Sequence, residues 1–289
     1  MRAGSGTTVP TGGGSGGGGL FGNLRQRLGT GFRLAGRSAG VLRQEPRLVV
    51  FPVVAGLGVA AFFAGVFGGL FLADGAESTP VLVGLLVLSF GVPTFVTALC
   101  NAALVHATQD AFEGREPSLG RSFRAALSHW PQLLAWALLS VVVGAILRSL
   151  EESSGLAGDV VAAFLSMGWA ALTYFVVPVV VFEDAPVTSM VQDSGRLFRD
   201  TWGETVGTEF GVGVVTLLLV LPGVLVGVVG FLLAGDTAGV ALAVGLGVVL
   251  ALPGLLVGVT LGDVAKVALY RYARDGEAPP AFSDLAVFE

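Results

Sequence analysis

The side chains that could do chemistry are few, and they fall near the ends of long apolar runs. Asn101 and His106 stand toward one end of such a run. Polar groups at that depth either line a path for substrate or protons or hydrogen-bond to a neighbouring helix, and the second role is the expected one. Asp263 and Lys266 are three residues apart, so they can pair on one helix face and neutralise each other near an interface. The competing role for that pair is a gate charge. Glu183 and Asp184 are adjacent carboxylates that could meet a cation, but a metal site needs further converging oxygens. At a helix C-terminus, where anions are disfavoured, they are expected to find a partner such as Arg196 or Arg199.

Catalysis has little to build with. His106 and His129 are the only histidines and Cys100 is the only cysteine. Intramembrane hydrolysis or lipid transfer would need a nucleophile–base pair or metal ligands. No catalytic residue, cofactor or metal is therefore assigned, and an enzyme is not expected. A lone cysteine offers no disulfide or thiolate metal site within one chain. Gly12 to Gly19 resembles a phosphate loop only superficially, since no strand precedes it and no Gly-Lys-Ser/Thr closes it. With 16 basic against 21 acidic residues, a nucleic-acid partner, which would leave a basic stripe, is not expected.

The elements that must carry these residues are membrane helices. The chain is 53% hydrophobic and only 13% charged, with a mean hydropathy of +0.81. Soluble domains carry about 25% charged residues. Six apolar runs cover 48–73, 81–107, 132–150, 160–182, 208–234 and 238–269. A spanning helix takes about 20 apolar residues, so the third and fourth runs fit closely and the others must tilt or emerge. Continuous runs without alternation exclude a barrel, and helices satisfy their own backbone in lipid. The expected fold class is all-α: a polytopic membrane protein with six transmembrane helices, between a Gly/Ser-rich tail at 1–19 and a cytoplasmic tail at 275–289. A cleavable signal peptide is not expected, because the first long apolar run follows an Arg-rich segment.

Counting charges on each side orients the spans. Every basic residue except Arg148 falls with the N-terminal segment, the loops 108–131 and 183–207, and the C-terminal tail. That side is expected to be the cytoplasm, with both termini inside the cell membrane. Arg148 is expected to reach the interface or pair with Glu151 or Glu152.

Three connecting segments, 20–46, 118–130 and 187–202, are amphipathic. Their apolar stripes run Phe21, Leu24, Leu28, Phe32, Ala35, Ala39 and Leu42, then Leu119, Phe123, Leu127 and Trp130, then Val187, Met190, Val191, Leu197, Phe198 and Trp202. Such helices lie in the interface plane with cations toward headgroups. The candidate contacts to anionic lipid are Arg25, Arg33, Arg37, Arg43, Arg121, Arg124, Arg196 and Arg199.

Each amphipathic segment leads into a hairpin of two spans, which suggests three repeats of interfacial amphipathic helix plus transmembrane hairpin. Ser38 to Pro46 aligns without a gap on Ser194 to Trp202, and Phe123 to Pro131 fits through Leu127 and Pro131. Asn101-x-Ala-x-Val105 with Glu113-Gly114-x-x-Pro117 matches Asp263-x-Ala-x-Val267 with Asp275-Gly276-x-x-Pro279 at the same spacing. The second helix of each copy carries a mid-span proline, Pro93, Pro178 or Pro253. Gly254, Gly258 and Gly262, and Gly223 with Gly227, form small-residue ridges for close helix packing, within the chain or in a homo-oligomer.

Trp169-Ala-Ala-Leu-Thr-Tyr-Phe-Val-Val-Pro178, Val179-Val-Val-Phe-Glu183, Ser194, Leu197-Phe198 and Trp202-Gly203-Glu204 are the most distinctive residues. With Arg47-Leu-Val-Val-Phe-Pro52 and Asn101-Ala-Ala-Leu-Val105, they resemble an uncharacterised prokaryotic membrane family, domain of unknown function 6159, over about residues 20–270. The resemblance implies a polytopic membrane protein and no assigned activity. The expected role is a non-enzymatic protein that organises or senses the membrane through lipid. The alternative is a small transporter or channel with a path near Asn101 and the prolines.

Overall fold

The computed structural model describes residues 32–72, 79–153, 155–276 and 279–283, and among these there is no strand. The Gly/Ser-rich tail, Arg25 and the start of the first amphipathic segment lie outside the described residues. The first helix, α1, covers 32–44, and a 3-10 turn at Pro46–Val49 joins it to α2 (Val50–Leu72). Then come α3 (Thr79–Phe112), α4 (Leu119–Ser128), α5 (Trp130–Ser153), α6 (Gly155–Thr173), α7 (Val176–Glu183), α8 (Met190–Asp200), α9 (Trp202–Leu233) and α10 (Thr237–Asp275). Among the described residues, six segments are long and apolar enough to cross a membrane: Pro46–Leu70, Val87–Phe112, Trp130–Glu152, Gly158–Glu183, Trp202–Leu233 and Thr237–Asp275.

The run at 160–182 is not one helix. It breaks after Thr173, and α7 restarts at Val176. Pro178 is the cause, since a proline has no N–H and its ring crowds the carbonyl four residues back, here that of Tyr174. Pro93 and Pro253 are carried inside unbroken helices, as is Pro222 in α9.

The second helix of each hairpin turns its corner through a left-handed residue. Gly114 (φ 69°) follows α3, Asp184 (φ 49°) follows α7 and Gly276 (φ 71°) follows α10. The Arg115 N–H donates to Asp110 O at 2.8 Å and the Gly276 N–H to Tyr272 O at 2.9 Å, closing carbonyls that would otherwise be open. Asp184 is the only non-glycine described with positive φ, a conformation that aspartate tolerates better than most side chains.

Burial is concentrated at the end where α3, α7 and α10 finish and α2, α5 and α9 begin. Leu34, Leu48, Phe51, Leu104, Phe175 and Tyr270 are almost fully enclosed there. We call this end the collar. The helices α1, α4 and α8 all belong to it, and each buries a serine: Ser38, Ser122 and Ser194. Their apolar stripes are divided. In α4, Phe123 packs at a tilt against Phe51 with ring centroids 5.4 Å apart, while Leu119 and Leu127, and Trp130 at the start of α5, face outward. In α1 the buried face is Leu34, Ala35, Ser38, Val41 and Leu42, and Phe32 is exposed.

Helices α9 and α10 meet along a glycine seam. A Cβ on Gly223 would lie 2.4 Å from Ala251 N, and one on Gly247 would lie 2.7 Å from Gly227 Cα. Gly254 and Gly258 abut Leu219 and Thr216 in the same way. The predicted ridges therefore serve this hairpin, and a homo-oligomer built on them would have to open it.

Candidate functional site

The polar groups of the collar form three clusters. In the first, α10 presents Asp263 and Lys266 one turn apart, with Lys266 Nζ donating to Asp263 Oδ1 at 3.3 Å. From α3, Asn101 Nδ2 donates to the same oxygen at 3.3 Å. Lys266 also lies over the Tyr174 ring, 4.9 Å from its centroid. Tyr174 sits at the break between α6 and α7, and its hydroxyl donates to Glu209 Oε1 on α9 at 2.6 Å. The lysine–aspartate pair of α10 is thus met directly from α3 and from the α6–α7 break, and α9 is joined to it through Tyr174. Asn101 Oδ1 is buried without a partner among the described residues.

The α6–α7 break is closed from outside. The Phe175 N–H, which has no intrahelical acceptor at a helix start, donates to Ser194 Oγ of α8 at 2.9 Å. Nearby, Tyr270 OH donates to Glu183 Oε1 at 2.7 Å, and Arg274 Nη1 approaches the Tyr270 hydroxyl at 3.5 Å.

The second cluster surrounds Asp110, on the last turn of α3. Arg115 donates through Nε and Nη2 to Oδ1 at 3.0 and 2.8 Å, and Arg121 through Nε and Nη2 to Oδ2 at 3.2 and 2.8 Å. Two guanidinium forks on one largely buried carboxylate are a strong, directional arrangement. Arg115 also pairs with Glu113, and Arg47 with Glu116. Hydrogen bonding to Asp110 pushes the Arg115 guanidinium further above its usual range.

The third cluster holds both histidines. His106 and His129 have ring centroids 5.9 Å apart. His129 Nε2 is 3.8 Å from Asp184 Oδ1, which accepts from Gln132 Nε2 at 3.3 Å. Among the described residues no group of three or more His, Cys, Asp or Glu side chains could hold a metal ion, and Cys100 is buried as a free thiol. What the three clusters supply is helix tethering by hydrogen bond and ion pair.

Of the predicted residues, Asn101, Asp263 and Lys266 come together, and Asn101 bridges α3 to α10. The partner expected for Glu183 and Asp184 is corrected. Glu183 bonds Tyr270 and Asp184 bonds Gln132, whereas Arg196 turns to Asp193 at 3.4 Å and Arg199 to Asp200 at 3.6 Å, both on α8. Carboxylates on α8 itself are nearer to these arginines, and Glu183 and Asp184 are taken up by side chains of α10 and α5 instead. Arg148 Nε donates to Glu152 Oε1 at 3.0 Å, one of its two expected partners. Arg121 is held by Asp110, while Arg33 and Arg37 have contacts of their own. Asp110, Tyr174, Glu209 and Ser194 had no place among the predicted candidates. Asp110 could have been found from its spacing to Arg115 and Arg121 across the Gly114 corner.

Fold and clusters together define a helical chain of membrane-spanning proportions, tied by polar contacts at one end and consistent with a multi-pass membrane protein. The chain belongs to the Family of unknown function (DUF6159), whose model matches residues 81–280. The match runs from α3 to the start of a 3-10 turn at Pro280–Phe282, so α1, α2 and the Arg47–Pro52 motif lie outside it. No curated protein and no solved structure matches the chain.

Proposed function

We propose that this is a non-enzymatic protein of the cell membrane, with both termini in the cytoplasm, that organises or senses the bilayer by contacting anionic lipid headgroups. One observation carries the reading. Arg43, Arg124, Arg196 and Arg199 stand exposed on the three collar helices, and the opposite end of the hairpins has Arg148 as its only described basic residue. Arg43 and Arg124 have no ion-pair partner among the described residues. Cations in that position attract an anionic leaflet, at about 1 kcal/mol each near the surface. They also match the sidedness in which basic residues stay inside.

In the same reading the chain is three copies of one unit: α1–α3, α4–α7 and α8–α10. Support comes from the buried serine in each collar helix and from the left-handed corner closing each second span. Pro117, Pro186 and Pro279 follow those corners closely. Asn101 and Asp263, the matched positions of the outer copies, hydrogen-bond to each other. Burial aligns Ser122, rather than Phe123, with Ser38 and Ser194.

The test is lipid selection by the full chain in nanodiscs of mixed phosphatidylglycerol and phosphatidylcholine, read with spin-labelled lipids. Enrichment of phosphatidylglycerol should fall with salt and be lost when Arg43, Arg124, Arg196 and Arg199 are all changed to Gln. Unchanged selection in that variant sinks the reading.

A second reading, a small transporter or channel, draws on the α6–α7 break beside Asp263 and Lys266, since broken helices with charged neighbours mark transporter binding sites. It predicts that Asn101→Cys, made in a Cys100→Ala background, reacts with a membrane-impermeant thiol reagent. A variant that stays unlabelled opposes it.

A further inference from the structure

Among the described residues three open grooves stand out, and only one joins an apolar floor to cations that can be released. The largest, about 730 Å³, lies beside Arg47, Arg115 and Arg121. Its guanidiniums are already held by Asp110, Glu113 and Glu116. The smallest, about 330 Å³, lies on the α9–α10 seam and carries no charge. The third, about 620 Å³, runs between α6 and α8, and its size is within the usual range of small-molecule sites.

We propose that the α6–α8 groove seats one anionic phospholipid, with its phosphate at Arg196 and Arg199 and an acyl chain lying along α6 toward Gly168. This rests on the reading that the collar faces an anionic leaflet. The floor is built of small and apolar residues: Gly168, Ala171 and Leu172 from α6, with Gly195 and Phe198 from α8. A Cβ on Gly195 would lie 2.7 Å from Leu172 Cδ2, so the two helices are in close contact there. A Cβ on Gly168 would meet nothing within 4 Å, so the deeper end is open.

Polarity follows the order a phospholipid needs. Helix α6 runs toward the collar, so Gly168 lies deeper than Leu172, and the arginines stand at the collar rim with Gln192. Trp202, exposed at the start of α9, closes that rim, and tryptophan favours the headgroup level. The arginines are only loosely committed. The Arg196 and Arg199 side chains are 58% and 77% exposed, and their carboxylate partners lie 3.4 and 3.6 Å away. Exposed pairs of this kind contribute little, so a phosphate can compete for them. The bond from Phe175 N–H to Ser194 Oγ fixes α8 against the end of α6 and keeps the rim over the floor.

The experiment is native mass spectrometry of the full chain in mild detergent, with phosphatidylglycerol and phosphatidylcholine as probes. The wild-type chain should retain one phosphatidylglycerol in preference to phosphatidylcholine. The double variant R196Q/R199Q should weaken phosphatidylglycerol about tenfold or more and leave phosphatidylcholine unchanged. G168L, which fills the open end, should weaken both, and R148Q, at the opposite end of the hairpins and outside the groove, should change neither. Absence of a one-to-one complex, or a complex unmoved by both R196Q/R199Q and G168L, overturns the proposal. So does a chain that is dimeric until G168L makes it monomeric while lipid retention stays the same, because a second copy then covers the groove. Nanodisc selection reads the general surface and this complex reads the groove. A groove-sensitive lipid without bulk selection defeats only the broader reading, and bulk selection without the complex defeats only the groove.

Discussion

Along α10 the two halves follow different rules. Before Pro253, Leu242, Val244, Leu246, Val248 and Leu250 all face outward, and Gly247 is the only buried residue. After Pro253 nearly a whole helix face is enclosed, from Gly254 and Gly258 through Leu261, Val264 and Ala268 to Tyr270. Helix α3 divides in the same way, with Leu88 and Phe90 outward and Ala102 to Val105 buried. The collar is held as a water-soluble core is held, by side chains excluded from solvent. The outer halves are as apolar but mostly have no protein to touch. In lipid, apolar surface gives no drive to associate, and close approach through small residues must do that work. Among the described residues, only α9 and α10 have such a seam along their outer halves.

This division makes one aromatic worth far more than another. Phe175, fully buried in the collar, should cost about 3–5 kcal/mol when changed to Ala. Phe164, 78% exposed on the same span, should shift stability by no more than about 0.5 kcal/mol. Thermal unfolding of both variants in one detergent measures the pair, and equal losses would break the distinction between collar and outer halves.

The seam is the exception within the outer half, and Gly247→Val tests it. The new side chain must displace the backbone of Gly227, so a loss of about 1–3 kcal/mol is expected. Gly245→Val, where a Cβ meets nothing within 4 Å, should be close to neutral. Spin labels on α9 and α10 should separate in the first variant and not in the second.

Asp110 sharpens the collar side. Replacing it with Asn removes a charge that two guanidiniums share, but both arginines are more than half exposed and can return to water. The expected loss is about 1–2 kcal/mol, below that for a fully buried pair. Arg124→Gln on α4, the collar helix that carries Arg121, has no described partner to lose and should have no measurable effect on unfolding.

The spans were legible because uninterrupted apolar runs of that length have few other uses. Asp263 with Lys266 and Arg148 with Glu152 were legible because spacings of three and four close on a helix face. Other features were set by tertiary placement. Pro178 was visible, but the break falls where its ring meets the carbonyl of Tyr174, earlier in the chain. Ser38, Ser122 and Ser194 have no place in the apolar stripes, yet each is enclosed, because a small hydroxyl fits where helices come close. Glu183 finds Tyr270 across 87 positions of sequence, a distance that periodicity does not reach. Gly247 was missed as a seam residue because its partners, Gly223 and Gly227, lie on the other helix.

Those serines supply the smallest test of the comparison. Ser194 Oγ accepts from the Phe175 N–H, whereas Ser38 Oγ and Ser122 Oγ have no partner among the described residues. Ser194→Ala should cost about 1 kcal/mol, the usual value of a lost helix cap, and should speed hydrogen exchange at the Phe175 amide. Ser38→Ala and Ser122→Ala remove a hydroxyl that bonds nothing, so they should be neutral or slightly stabilising. If all three variants behave alike, the collar is held by packing alone and α8 is not tied to the break. If only Ser194→Ala speeds exchange at Phe175, α8 acts as the clasp of the one broken span.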